Sequence, residues 1–433
     1  MIQKLLAPIL FCLTMPAAWG QYGLDTYYQN GPLLYEDHIY QMGIKTVKLH
    51  PSNDVLGLPI IALNSRQRLT LKFDDLFEDF VNYSYTIYHC NADWQRSALI
   101  NSEYMGSFTD DYIQSYSYSV NALVPYTHYE LSIPNENMQL LKSGNYLLVV
   151  FRNDDPEDLV LSRRFMVYED LVGIGGNVRR ASNVDLMNTH QEVDFTISHS
   201  GYNIQNPFQD LKVHLMQNFR YDHAILGLKP LFVQNQQLIY NYDYENTFPG
   251  LNEFRFFDIK NLLTLTQNVR HITRDSLFHV YLKIDQSRAI SEYSVWFDIN
   301  GKFQIRRLDA SDSDTEADYA KVDFILEMPR PLDKGDVYIF GQLSDWKLRP
   351  EFKMRYDYDR NAYRAQVYLK QGYYNFYYAT TSSEGISIVD AETIEGSHWE
   401  AENIYQVLVY NREVGSRYDR LIGYGTFSSE ELY

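Results

Sequence analysis

His89 and Cys90 stand side by side, a base next to a thiol, which is the pairing that nucleophilic catalysis uses. A catalytic thiol must ionise, and for that it needs a positive or helix-N-terminal setting. This pair closes the segment YSYTIYHC (Tyr83 to Cys90), whose alternation marks a strand with every second residue facing a core. Cys90 is therefore expected as a buried structural cysteine. The run DASDSDTEAD (Asp309 to Asp318) is rich enough in carboxylates to suggest calcium. An EF-hand loop wants glycine sixth and glutamate twelfth between two helices; counting from Asp309, those places hold Asp314 and Ala320. A solvated linker is the expected use of the run, with weak calcium binding at a domain junction left open. VGIGGN (Val172 to Asn177) has glycines but misplaces the third one of a dinucleotide fingerprint, and no helix follows. The eleven histidines are scattered, with no H-x-x-x-H or C-x-x-C spacing for a structural metal. No G-x-S-x-G elbow occurs, and the many carboxylate pairs of an acidic chain do not single out an acid and a base. The chain is read as non-enzymatic, with no cofactor and no metal site. One aromatic remains: VYIFGQLSDW (Val337 to Trp346) is a strand that breaks at a glycine and delivers Trp346 to a loop, as a sugar-stacking platform requires.

The elements that must position these residues are almost all strands. KTVKLHP, LPIIALN, RLTLKFDDL, YSYTIYHC, HYELSIP and NYLLVVFRN are short, β-branched or aromatic, and bounded by turn residues. SGNYLLVVFRNDDPEDLVLSRRFMVYE reads as a hairpin turning at Asn153 to Asp158, typical of the end of an immunoglobulin-like sandwich. VGIGGNVRRAS (Val172 to Ser182) reads as a linker. A second strand-rich block follows, in which KNLLTLTQNVRHITRDS fits a short helix or a hairpin equally well. The expected organisation is a signal peptide at 1–20, an N-terminal β-sandwich at 21–171 and a middle β-rich domain at 172–305. An acidic linker at 306–321, a C-terminal early-set-like sandwich at 322–411 and a polar tail at 412–433 complete it. The fold class is mainly β, with serial immunoglobulin-like or early-set β-sandwich domains.

The 433 residues exceed one typical core. Aromatics make up 15% of the chain, with 38 tyrosines, a composition that suits strands and interaction surfaces. The formal charge of −18 disfavours nucleic acid and anionic lipid as partners. MIQKLLAPILFCLTMPAAWG has an early lysine, a short apolar run and a small-x-small end, the pattern of a cleavable export signal. Cys12 lies within it, so the mature chain would carry Cys90 alone and form no internal disulfide.

The segments YSYTIYHCNADWQRSALINSEYMGSF, YSYSVNALVPYTHYELSIP, SGNYLLVVFR and RRFMVYE together resemble the Bacteroidetes type IX secretion system plug protein family. Tyr88 to Asn91, Asp93-Trp94, Ser97, Tyr126 to Tyr129 and Ser143 to Tyr146 carry the resemblance. It implies a soluble periplasmic protein that occludes the periplasmic opening of the large outer-membrane β-barrel translocon and is released or exchanged during export. No small-molecule ligand and no membrane insertion are implied. The resemblance marks no contact residues; exposed strand tyrosines are the natural candidates. The third block is similar to family 48 carbohydrate-binding modules at Gly341, Trp346, Gly372-Tyr373 and YNFYY. That gives the alternative of an exported carbohydrate-binding protein with Trp346 as a stacking residue. Its second platform would fall near SSEGISI (Ser382 to Ile388), which has no aromatic. Trp346 is therefore expected to cap its own domain or to meet another protein surface.

Overall fold

The computed structural model describes residues 27–28, 31–77, 79–106, 108–381 and 389–432. The expected signal at 1–20 and the segment 382–388 lie outside the described residues. Strands dominate, and the described α-helices are single turns of four residues. None is long and apolar enough to cross a membrane, which says nothing of a β-barrel. The chain is mainly β and builds three sandwiches.

The first sandwich packs a sheet containing Tyr83–Cys90, Gly144–Arg152 and Leu159–Tyr168 on a sheet containing Ile44–Pro51, Leu69–Asp75 and Thr127–Ile133. Gly144–Arg152 and Leu159–Tyr168 form the expected hairpin. Within it, YLLVVF (Tyr146 to Phe151) is a continuous apolar run because both faces of the strand are covered. Tyr146, Leu148 and Val150 point into the sandwich core, while Leu147 and Val149 point outward into a second core shared with the middle sandwich. The strand Ile404–Asn411 answers from the other side, with Tyr405, Val407 and Val409 in the middle core and Leu408 and Tyr410 in the shared one. Two sheets of different domains are thus glued face to face.

Strand pairing redraws the expected boundaries. Ile404–Asn411, expected in the C-terminal sandwich, pairs with Leu211–Gln217 of the middle one. Arg420–Ser428, expected in the polar tail 412–433, pairs with Ile404–Asn411 along its length and buries Leu421 and Ile422. Conversely, Arg255–Asp258 and Phe303–Ile305, expected in the middle domain 172–305, pair with Gly372–Thr381. Phe278–Leu282 pairs with Tyr319–Glu327. The third sandwich, from Arg255–Asp258 to Val389–Asp390, is therefore inserted between Thr247–Pro249 and Ile404–Asn411 of the middle one. The physical reason is that alternation along a strand states which face is buried, not which sheet it joins.

Local readings change too. Val269–Arg274 and Phe278–Leu282 pair, so the ambiguous segment is a hairpin. VGIGGNVRRAS is no linker, because Gly173–Arg180 is a strand paired over eight residues with His190–Ser198. Gly176 lies so close to that neighbour that a Cβ would stand 2.3 Å from the Asp194 carbonyl oxygen. The acidic stretch 306–321 holds a helical turn at Ser313–Glu316 and the start of Tyr319–Glu327.

Candidate partner-binding surface

The motif around Cys90 is a joint between the first and middle sandwiches. Cys90 is fully buried in the shared core, and burial pushes its thiol up to about 12 against the pull of Arg164 and Arg96. Burial likewise pushes His89 down to about 4. Its Nδ1 meets the Ser97 hydroxyl at 2.9 Å and its Nε2 the Ser143 carbonyl at 3.1 Å, so the base faces away from any thiolate chemistry. Asn91 accepts from Arg412 at 2.8 Å, and the Ala92 amide donates to Asp419 at 3.0 Å. Asp419 is buried between Arg412 at 2.7 Å and Lys212 at 3.0 Å. The Tyr410 hydroxyl donates to Asn145 at 2.7 Å. Trp94 packs under the Arg164 guanidinium at 4.5 Å and edge-on to Tyr221.

A second joint ties the first sandwich to the third. Asp74 is buried and accepts from His128 at 2.6 Å, the Tyr319 hydroxyl at 2.7 Å and Lys370 at 2.6 Å. Lys370 is equally buried, bonds the Asp314 carbonyl at 2.7 Å and lies 4.1 Å from the Tyr126 ring centre. Burial pushes the Asp74 carboxyl up, but Lys370 and His128 outweigh it and hold the group below the ordinary carboxylate range. The expected linker belongs to this joint. The Val120 amide donates to the Thr315 carbonyl at 2.9 Å, and the Leu123 amide to the Asp318 carboxylate at 2.7 Å.

This arrangement explains what the carboxylate run does. Asp312 caps the helical turn, Asp309 pairs with Arg307, and Glu316 takes the amides of Ser311 and Asp312. Asp314 does come beside His128 and Glu130, a set that could ligate a metal. The Lys72 ammonium, however, sits 2.5 Å from Asp314 and 3.6 Å from Glu130, so a lysine already supplies the cation.

Trp346 closes a third joint. It is half-buried against Phe254 and Phe340, with the buried Arg220 of the middle sandwich 5.6 Å from its ring centre. Gly301, at φ +74, must be glycine because a Cβ would stand 2.2 Å from the tryptophan ring. The adjacent Asp345 pairs with Arg163 of the first sandwich and with Arg349, each at 3.0 Å. The loop that a sugar module would present to solvent here meets both other domains.

The surface left for a partner is correspondingly limited. Tyrosine is mainly a core residue in this chain: Tyr83, Tyr129, Tyr240, Tyr377 and Tyr405 are all fully buried. Among the described residues, Tyr112, Tyr116, Tyr118, Tyr244 and Tyr358 are the exposed ones. Two of the five, Tyr116 and Tyr118, sit together, whereas Tyr112 lies on the other sheet with its hydroxyl on Asp154. Asp110–Tyr112 is the edge strand of one sheet of the first sandwich, and Ser115–Tyr118 the edge strand of the other. All four residues of SYSY are exposed. Tyr116 packs against exposed Phe80 at 4.7 Å and edge-on to Tyr118 at 5.8 Å. One flank of the first sandwich therefore offers two open strand edges under an aromatic ridge, the features that strand addition and hot-spot contacts use. A second apolar display lies in the third sandwich. Trp296 pins an extended segment inward through the Phe254 carbonyl at 2.8 Å, while Ile290, Val295 and Phe297 face solvent. Sequence reasoning pointed to exposed strand tyrosines without numbers. The tyrosines alternating with serine in SYSY were the available signal, while the extended segment had none.

Comparison with known proteins agrees with the first-domain motif. Residues 44–169 match the model of the type 9 secretion system plug protein first domain. A crystal structure of a hypothetical protein from Parabacteroides merdae is 33% identical and superposes with a TM-score of 0.88, over 92% of this chain and 100% of that one. No curated protein matches the chain.

Proposed function

Because the chain belongs to the type IX secretion system plug protein family and so serves that secretion system, we propose that it is a non-catalytic periplasmic plug. It binds the periplasmic opening of the outer-membrane translocon barrel, occludes it, and is released or exchanged as cargo passes. The observation that carries this reading is a coincidence of place. The family-matched segment 44–169 is the sandwich that bears the two open edges and the ridge of Phe80, Tyr116 and Tyr118. The same segment carries the buried halves of the joints to both other sandwiches. A plug has to resist deformation when it covers a wide pore, and three sandwiches locked through buried ionic and apolar joints suit that task. Tyrosine suits the contact, because its ring buries a large area with few torsions to freeze and keeps a hydroxyl for polar partners.

The test is affinity purification of the tagged protein from its own membranes. A very large outer-membrane barrel should co-purify at near-stoichiometric yield, and the Tyr116→Ala/Tyr118→Ala variant should lose it while remaining folded. Purification of the folded wild type without a barrel would reject the reading.

A further inference from the structure

Where the three sandwiches meet, the chain leaves a cleft of about 470 Å³. Its carboxylates are all engaged. Glu36 pairs with Lys347 at 2.7 Å, Asp222 with Arg220 at 2.6 Å, and Asp345 with Arg163 and Arg349 at 3.0 Å each. Asp37 accepts the Arg164 amide at 2.7 Å. Three cations in the wall form no ion pair among the described residues; the Arg164 guanidinium is taken up by the Tyr35 carbonyl and the rings of Trp94 and Tyr221, and the other two are lysines that reach across domains. Lys48 of the first sandwich donates to the Phe303 carbonyl of the third at 2.5 Å, and Lys302 of the third donates to the Leu56 carbonyl of the first at 2.8 Å. Among the described residues neither has a carboxylate within ion-pair distance. Each ammonium has three donors and spends one on a carbonyl, and the one carboxylate that acts on either, Asp54, forms no ion pair with it. Lys48 is buried, and its strand bulges against the neighbouring strand between Lys45 and Lys48, a device that re-aims side chains next to sites. Burial first, then the nearby charge of Lys302, pushes Lys48 down to about 7, with Asp54 the one carboxylate acting the other way. The ammonium form of Lys48 is therefore costly, with its one acting carboxylate beyond ion-pair distance, and an anion seated beside it removes that cost.

We propose that this cleft is a binding site for a peptide carboxylate, held between Lys48 and Lys302. The other wall selects the rest of the ligand. Leu58, Pro59, Phe219, Trp346 and Leu348 line it, so the acidic group should be carried next to an apolar side chain. Ammonium groups act as point charges and do not demand the bidentate geometry of an arginine fork, so an acidic side chain and a free chain terminus present the same chemistry. The site stands apart from the aromatic ridge and does not depend on the plug reading.

Three peptides separate the sources: acetyl-Phe-Leu with a free carboxylate, acetyl-Glu-Leu-amide with a side-chain carboxylate, and neutral acetyl-Phe-Leu-amide. They are titrated calorimetrically into the full chain, and into Lys48→Met and Lys302→Gln forms whose circular dichroism matches wild type. At least one acidic peptide should bind saturably, and the neutral peptide at least about tenfold more weakly, the loss expected for a charge-assisted hydrogen bond. Lys302→Gln, which changes a residue less buried than Lys48, should weaken binding by a similar factor even where Lys48→Met fails to fold. Which acidic peptide binds identifies the source. No saturable binding of either acidic peptide, equal binding of the neutral one, or unchanged affinity in a folded lysine variant would overturn the proposal.

Discussion

Replacing Lys370 by methionine probes the joint between the first and third sandwiches. The substitution keeps most of the side-chain volume and removes the charge that faces Asp74 at 2.6 Å. Asp74 would stay buried, with His128 and the Tyr319 hydroxyl as its remaining partners. Removing one member of a buried ion pair costs about 3–5 kcal/mol, because the other charge is left uncompensated. The two sandwiches have separate hydrophobic cores, so the cost should appear as local opening of the joint between them. The amides of Val120 and Leu123 bridge the two domains to Thr315 and Asp318 and report that opening. At 1.36 kcal/mol per decade, their hydrogen exchange should accelerate by about 150-fold to a few thousand-fold in Lys370→Met. Amides deep in the middle sandwich, such as that of Val407, should keep their wild-type rates. Acid should act in the same direction. The Asp74 carboxyl is held below its ordinary value in the closed joint. Its contribution is therefore present above about pH 4, the unperturbed range, and is lost as pH falls through the lowered value. Acceleration of less than about threefold at Val120 and Leu123, in a folded variant, would show that the ion pair does not hold the domains together.

Four further outcomes are expected. Ile422→Ala, in the strand that a tail reading would treat as dispensable, should cost about 2–5 kcal/mol in urea unfolding monitored at the middle sandwich; a cost near zero would detach that strand from the fold. Tyr116→Ala and Tyr118→Ala remove exposed rings and should change stability by no more than about 0.5 kcal/mol. The same variants should weaken binding to the partner by about 2 kcal/mol or more each if the ridge is its hot spot, measured as the dissociation constant for the purified barrel. Calcium at millimolar concentration should shift the melting temperature by no more than about 1 °C, because the Lys72 ammonium already occupies the place between Asp314 and Glu130. A saturable upward shift would show that the ion displaces the lysine.

The fold class was legible because strand signals are local. Alternation, β-branched residues and the turn at Asn153 to Asp158 identify the hairpin of the first sandwich without any knowledge of its neighbours. The burial of Cys90 followed from the same alternation. Partnership between strands was not legible. Ile404–Asn411 alternates equally well whether it joins the third sandwich or the middle one, and only the pairing with Leu211–Gln217 decides. The insertion of the third sandwich is therefore invisible to a reading that follows chain order. VGIGGNVRRAS misled because glycine usually marks a linker, whereas Gly176, Gly423 and Gly425 let adjacent backbones and Ile174 approach closely. The carboxylate run was seen but not its use, since Lys72, Tyr126 and Lys370 reach it from distant parts of the chain. Which tyrosines are exposed was not legible, since composition alone did not separate Tyr116 and Tyr118 from the many tyrosines that fill the cores.

The central claim is that this protein seals a pore. The most direct measurement is entry of a large polar antibiotic through the outer membrane of cells that lack the protein and retain the barrel. The account predicts markedly faster entry than in wild-type cells, reversed by the wild-type gene and not by the Tyr116→Ala/Tyr118→Ala form. An intact permeability barrier in cells shown to retain the barrel would contradict it.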